Sequence, residues 1–387
     1  MKRIIIILFG LILPMLGGGC SWWSGNGEND LKIGVIMPLS GEFAPYGKAV
    51  IQGMELYREK YAAIHPDRHI VLLIEDNGGT PEGSLKAFET LVDRKQVQVI
   101  VGAYTSDDSF ALKPLALRRR IPVIAPCATN DELTARNPYL FRACFNDSFQ
   151  GKALGKYAWE KGGVKKLGVL WCLDANRGDY SRGLARTVIE EFEKCGGAPV
   201  CKVGYRSGQT DFTAQLHEFK QAGVDAVFAP LYPDDILRLM KAVAALNDAP
   251  LIFGSDSWSS DGLVEKLGEP GHGSFYSCMF SRQYRNPVTT EFVNTARDKG
   301  LEPGLCMAQG YDTLGILATV MKPGARGEDI ASALRQVRNY PGVTGAISIY
   351  ADGVTTQNVF IEKIVWDKFN KRALKTLEYT IKPEEER

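Results

Sequence analysis

Histidine is scarce in this sequence: 387 residues contain four, His65, His69, His217 and His272. The first two flank "PDR" ahead of a strand, His217 lies beside a helical core stripe, and His272 sits in "GHG". None adjoins a GxSxG elbow or another nucleophile setting, so nothing indicates a hydrolytic triad. Net charge is nearly absent as well. The 46 basic and 45 acidic residues leave +1, which excludes the one-signed field of a nucleic-acid binder. Gly78-Gly79 and Gly162-Gly163 open neither GxxxxGK nor GxGxxG, so they read as turn glycines rather than a phosphate cradle. No CxxC pair or Cys/His cluster occurs; zinc is not expected, nor any other metal or cofactor. After Leu16 no apolar run approaches the ~20 residues of a spanning helix, so no transmembrane helix is expected in the mature chain.

Cysteine is sparse too, at 8 residues. Leaving Cys20 aside, an odd number remains, so at least one thiol stays free. Cys195 and Cys201 bracket "GGAPV"; a small disulfide between them is one reading, which spacing does not establish.

What is present begins with "MKRIIIILFGLILPMLGGGC". Two cations, an apolar run from Ile4 to Leu16, small residues and a cysteine make an export signal. Cys20 after three glycines resembles the lipobox of bacterial lipoproteins, which implies acylation there. Leu16 stands four residues before the cysteine rather than three, so ordinary cleavage nearby is the alternative. Residues 21–30, with "SWWSGNGEND", read as a flexible tether.

From Leu31 short apolar runs alternate with helical stretches, the pattern of an α/β protein with parallel sheets covered on both faces. "LKIGVIM", "HIVLLIE", "VQVIVGA" and "IPVIA" are strands of one series; "KKLGVLW", "APVCKVGY", "DAVFAPL" and "PLIFGSD" form a second. Tyr46, Val50, Met54, Tyr57 and Tyr61 share one helix face, mostly core. A second helix sets Phe212, Leu216 and Phe219 on one face, opens at a Thr210 or Asp211 cap and stops at Gly223. Segments at "TTEFVNTARDKG", "CMAQGYDTLGILATVM" and "EDIASALRQVRN" read as helical, and Asp352-Gly353 marks a hairpin near the end. The length suits two doubly wound lobes.

"KIGVIMPLSGEFAPYG", "VIVGAYTSDDS", "IPVIAPCATNDELT", "DYSRGLA", "QTDFTAQLHEFKQAGVDAVF" and "IFGSDSW", in this order and spacing, together resemble the leucine/isoleucine/valine-binding family of ABC-transporter solute-binding proteins, the type I periplasmic binding fold. That resemblance implies two Rossmann-like lobes joined by three crossovers, near Asn146, Cys278 and Ala346. Lobe I would hold residues 31–146 and 279–345, lobe II residues 147–278 and 346–387. Ligands of such sheets bind at the carboxyl ends of strands, where these motifs sit.

The resemblance also implies site residues. Ser106 and Thr129 match positions that donate to a ligand α-carboxylate, with Thr105 beside them and a helix start behind. The carbonyl of Cys127 or Ala128 matches an acceptor for the amine. Asp256, on the facing lobe, stands where relatives carry an acid, often Glu, for the ligand ammonium. Tyr46, Tyr180 and Tyr232 fall at walls of the cleft, and Tyr104 replaces a smaller residue in leucine-binding relatives. Trp258 belongs either beside the cleft or on the lobe surface. Asp107 and Asp108 fit the first helical turn without touching ligand, and Pro114 is compatible with a helix that begins near Ser109 or Phe110. Arg118 to Arg120 read as a solvated helix end.

The resulting expectation is a non-enzymatic, monomeric binder of a free amino acid, whether branched-chain, aromatic or small and polar. It would deliver that cargo to an ABC permease and ATPase from the periplasm or the outer face of the cell membrane, with membrane contact through a lipid anchor only and no nucleic-acid partner. The alternatives are a periplasmic sensing subunit and a binder of a small carboxylate without an amine. Repressors of this fold carry a helix-turn-helix where this chain has its export signal.

Overall fold

The computed structural model describes residues 29–260 and 262–383, with the backbone alone for 175–177, 179 and 198–200. The export signal, Cys20 and most of the tether lie outside the described residues. The chain enters at β1 (Asp30–Met37), one residue before the predicted start, and continues through α1 (Ala44–Ile64), β2 (His69–Asp76), α2 (Pro81–Glu89), β3 (Val99–Val101), α3 (Ser106–Arg119), β4 (Val123–Ala125) and β5 (Leu140–Arg142). These strands make one sheet in the order β2-β1-β3-β4-β5, and every pairing in it is parallel. Ile33, Val35, Ile36 and Met37 are wholly buried, because helices cover both faces of the sheet at its central strands.

The second series repeats the plan: α4 (Asp147–Glu160), β6 (Lys166–Cys172), α5 (Ala175–Lys194), β7 (Ala198–Tyr205), α6 (Thr213–Ala222), β8 (Ala226–Phe228), α7 (Pro233–Ala244), β9 (Leu251–Phe253), α8 (Leu263–Leu267) and β10 (Phe275–Cys278). Its parallel sheet runs β7-β6-β8-β9. In both sheets the first strand of the series lies between the second and third. The winding therefore reverses there, which leaves a crevice beyond the strand ends.

The last third gives α9 (Pro287–Asp298), α10 (Leu305–Val320), α11 (Gly327–Leu334), β11 (Tyr340–Gly342), β12 (Gly345–Ile349), β13 (Thr355–Thr356), β14 (Val359–Asp367) and β15 (Arg372–Ile381). The Asp352-Gly353 turn joins β12 to β13 in an antiparallel hairpin, with Gly353 at φ 81°. The small sheet β10-β14-β15 is antiparallel, and a bridge from Gly254 to Tyr276 ties it to the end of β9.

Three local expectations are corrected. First, α3 begins at Ser106, not Ser109 or Phe110, and runs through Pro114. Proline lacks the N–H that would bond the Phe110 carbonyl, but it sits on the exposed face, where water can take that carbonyl. Second, α6 opens after Phe212; Asp211 still serves the first turn, accepting from the Thr213 amide at 2.8 Å. The stop at Gly223 is as expected, with φ 65°. Third, Cys195 and Cys201 are not joined in a disulfide. Cys201 lies within β7, its sulfur 3.9 Å from Glu218 Oε1 on α6, away from the end of α5 that Cys195 follows. Among the described residues no helix is long and apolar enough to cross a membrane, and no group of His, Cys, Asp or Glu could hold a metal ion.

Candidate functional site

The end of β3 explains why hydroxyls cluster there. Thr105 caps α3, its Oγ1 accepting from the Asp108 amide at 3.1 Å, which satisfies one orphan donor of the first turn. Ser109 completes the turn from inside, donating to the Thr105 carbonyl at 2.7 Å and accepting from the Ala103 amide at 3.2 Å. Ser106, the first helical residue, is left over from this capping. Its Oγ accepts from the Asn130 amide at 3.4 Å, so its own proton remains available to an acceptor in the crevice. Asp107 and Asp108 occupy the first turn as expected. Burial pushes the Asp108 carboxyl up to about 6.

The loop after β4 is held from behind. Arg142, wholly buried on β5, donates from Nη1 to the Thr129 carbonyl at 2.5 Å and from Nη2 to the Asn130 carbonyl at 2.6 Å. The Asp147 amide also reaches the Thr129 carbonyl, at 2.9 Å. With that oxygen doubly occupied, the loop is fixed and Thr129 turns toward the crevice. The Ala128 carbonyl accepts from the Cys144 thiol at 3.4 Å.

The facing wall comes from the second sheet. Asp256 follows β9, and its amide donates to Gln150 Oε1 at 2.9 Å. The Tyr180 hydroxyl from α5 donates to Asp256 Oδ1 at 2.8 Å. That hydroxyl lies 2.6 Å from Ser255 Oγ, itself 3.1 Å from Ser257 Oγ, which donates to the Leu231 carbonyl. The Tyr180 hydroxyl is thus held between Ser255 and the carboxylate. Burial raises the Asp256 carboxyl to about 6, offset in part by the hydrogen bond from Tyr180 and by the nearby Gln150 amide. Burial, and then the nearby Asp256 charge, hold the Tyr180 hydroxyl well above its ordinary range.

Tyr104, Thr105, Ser106, Cys127 and Thr129 from one side meet Tyr180, Tyr232 and Asp256 from the other around a single cavity. Eight of the ten residues expected from sequence thus share one lining. Ala128 and Tyr46 do not: the first is buried and turned toward Cys144, the second stacks behind Tyr104 at 5.5 Å and 11°. Trp258 is neither cleft nor surface. It is fully buried in the second core and donates from Nε1 to the Ala229 carbonyl at 2.9 Å.

Several contributors were not anticipated. Leu305, Ser257 and Ser260 complete the lining, and Phe43 packs between Tyr104 and Tyr232 at 5.8 and 5.4 Å. Gln150 and Arg142 position the two loops from behind. Asp147 is wholly buried with no hydrogen bond of good geometry to its carboxyl oxygens. Burial, then the Asp131 charge, keep that carboxyl well above its ordinary value, although the Thr129 hydroxyl lies close enough to favour its ionised form. The Cys127 thiol is likewise held high by its hydrogen bond with Cys306 and by burial.

Chemically, the cavity offers hydroxyl and helix-start donors on one wall, a carboxylate opposite, and aromatic rings between. Among the described residues no Lys, Arg or His lines it. An anion alone would face Asp256 with no counter-charge from those residues.

A family model described as "Periplasmic binding protein" matches residues 30–368. Leu/Ile/Val-binding protein homolog 2 of Brucella abortus is 27% identical over 338 residues, 85% of this chain and 88% of its own. The crystal structure of a leucine-binding protein from Thermotoga maritima superposes with a TM-score of 0.81 at 28% identity, over 92% of this chain and 99% of that one. A branched-chain amino-acid transporter substrate-binding protein from Streptococcus pneumoniae, solved with isoleucine, gives 0.81 at 27% identity over 92% and 100% of the two chains. The match over nearly the whole described chain, on the doubly wound sheets and crevice seen here, establishes that this chain belongs to the periplasmic binding protein family.

Proposed function

We propose that the protein is the solute-binding component of an ABC-type importer and captures a free amino acid in the cleft between its two lobes. The observation that carries this reading is Asp256 opposite Ser106 and Thr129 in a cavity that no described Lys, Arg or His lines. A zwitterion fits that arrangement: its carboxylate takes the hydroxyls of Ser106 and Thr129, and its ammonium takes Asp256 with a neighbouring carbonyl. A buried carboxylate is tolerable only when it is paired and hydrogen-bonded. The ligand supplies the pairing that Tyr180 alone does not.

Because the two ends of the ligand are gripped by different lobes, binding favours the closed form over the open one by the difference in affinity between them. The lobes in this reading comprise residues 31–146 and 279–345, and residues 147–278 and 346–387. The protein performs no chemistry, acts as a monomer, and passes its cargo to a permease and ATPase from the periplasm or the outer face of the cell membrane, tethered through a lipid on Cys20.

A thermal-shift screen of the purified protein against amino acids and small carboxylates tests this. A ligand at 100 times its Kd adds ~2.7 kcal/mol to stability. Stabilisation by amino acids supports the reading; stabilisation only by carboxylates lacking an amine contradicts it.

A further inference from the structure

We infer that Tyr104 limits the cleft to α-amino acids with short side chains, such as glycine, alanine and serine, and excludes branched-chain and aromatic ones. This rests on the amino-acid reading above and sharpens it.

Tyr104 immediately precedes Thr105 and Ser106. A carboxylate bound at Ser106 puts the ligand Cα one bond further on, so the groups flanking Ser106 bound its side chain. Tyr104, which directly precedes Thr105 and Ser106 in sequence, shares the lining with Cys127 and Leu305. The Tyr104 ring is held by two aromatic neighbours. It stacks on Tyr46 of α1 with centroids 5.5 Å apart and planes at 11°, and it meets Phe43 at 5.8 Å and 44°. Phe43 in turn packs on Tyr232 at 5.4 Å, and the Tyr232 ring lies 5.4 Å from Tyr180. Swinging Tyr104 aside would break this run of rings from one lobe to the other.

The space that remains is small. The cavity measures ≈ 30 Å³ in this arrangement, about the volume of one water, so any ligand displaces part of its walls and each added carbon asks for more displacement. A leucine adds four carbons toward a wall filled by an immobilised ring, whereas alanine adds one. Close-packed interiors do not yield to extra carbons without displaced side chains.

Calorimetric titration of the wild-type protein with alanine, serine, leucine and phenylalanine reads the preference directly. Alanine or serine is expected to bind at least about tenfold more tightly than leucine, the scale on which a pocket discriminates by methylene groups. Tyr104→Ala is expected to improve leucine binding at least about tenfold with a smaller change for alanine. Tyr104→Phe, which keeps the ring, is expected to keep leucine out. Wild-type affinity for leucine or phenylalanine equal to that for alanine overturns the restriction and leaves the amino-acid reading standing; leucine binding by Tyr104→Phe overturns the assignment to ring volume. If no α-amino acid binds while propionate or benzoate does, the underlying reading falls and this inference with it. Should Tyr104→Ala fail to fold by circular dichroism, the wild-type preference and Tyr104→Phe still decide.

Discussion

Phe43 and Tyr232 meet edge to face, ring centroids 5.4 Å apart and planes at 61°, although they belong to opposite halves of the molecule. Phe43 precedes α1 on the first sheet; Tyr232 caps α7 on the second. Such a pair is worth ~0.5–1.5 kcal/mol beyond its buried area, and only the closed arrangement collects it. Phe43→Ala is therefore expected to raise ligand Kd about two- to tenfold. Unchanged affinity by calorimetry would remove this contact from the closing energetics.

The pH dependence of binding follows from Asp256. Burial raises its carboxyl to about 6, against about 3.9 in an unfolded chain. Between those values the folded protein holds a proton that the unfolded chain has lost, so the Asp256 contribution to stability declines as pH rises from about 4 to about 6. A ligand ammonium selects the ionised form. Affinity is expected to be flat above about pH 6 and to fall about tenfold per unit below it, while Asp256→Asn flattens the profile at weak affinity. Asp108 and Asp312 are also raised to about 6 by burial, but neither lines the cavity; they affect the stability profile and not the binding profile. A wild-type profile that matches that of Asp256→Asn would contradict the assignment.

Thr105 and Ser106 are adjacent hydroxyl residues with separate tasks. Thr105 caps α3 through the Asp108 amide, so Thr105→Ala is expected to cost ~1 kcal/mol of folding stability. Ser106 caps nothing, and Ser106→Ala is expected to weaken binding by more than ~1 kcal/mol, the scale of one charge-assisted hydrogen bond. Denaturant midpoints and calorimetric affinities measured on both variants separate the roles. Loss of stability without loss of affinity in Ser106→Ala would reverse them.

Helices α1 and α10 touch backbone to backbone. A Cβ on Gly53 would lie 1.8 Å from the Met307 carbonyl oxygen, and one on Gly310 would lie 2.0 Å from that of Val50. Neither carbonyl can move without shifting its helix. Gly310→Ala is expected to lower stability by about 1–3 kcal/mol or more, the cost of overpacking a core. A variant with an unchanged unfolding midpoint would show that the helices separate freely.

The strands and most helices were legible because their signals are local. Continuous apolar runs marked the parallel strands, Gly223 marked the end of α6, and Asp352-Gly353 marked the hairpin. The co-location of Tyr104, Ser106, Thr129 and Asp256 was legible only through family motifs, since these residues are distant in sequence and share no period. Phe43 carried no signal. It sits in a loop, and its neighbours Tyr104 and Tyr232 are brought to it by the closing of two sheets. Arg142, Asp147 and Gln150 escaped notice because a polar residue in a short strand or a helix start reads as exposed until the packing around it is known. Pro114 misled because the local cost of a proline inside a helix is outweighed by the packing of Leu112, Leu115 and Ala116 of α3 in the core.

The central claim is that Asp256 binds a ligand amine, and it is tested most directly by removing that amine. Calorimetry compares the amino acid that binds the wild-type protein most tightly with the same molecule bearing hydrogen in place of the amino group. The account predicts no measurable binding of the des-amino compound at 100 times the amino acid's Kd. Binding of the des-amino compound within about threefold of the amino acid, less than the ~1.4 kcal/mol of a single factor of ten, would contradict it.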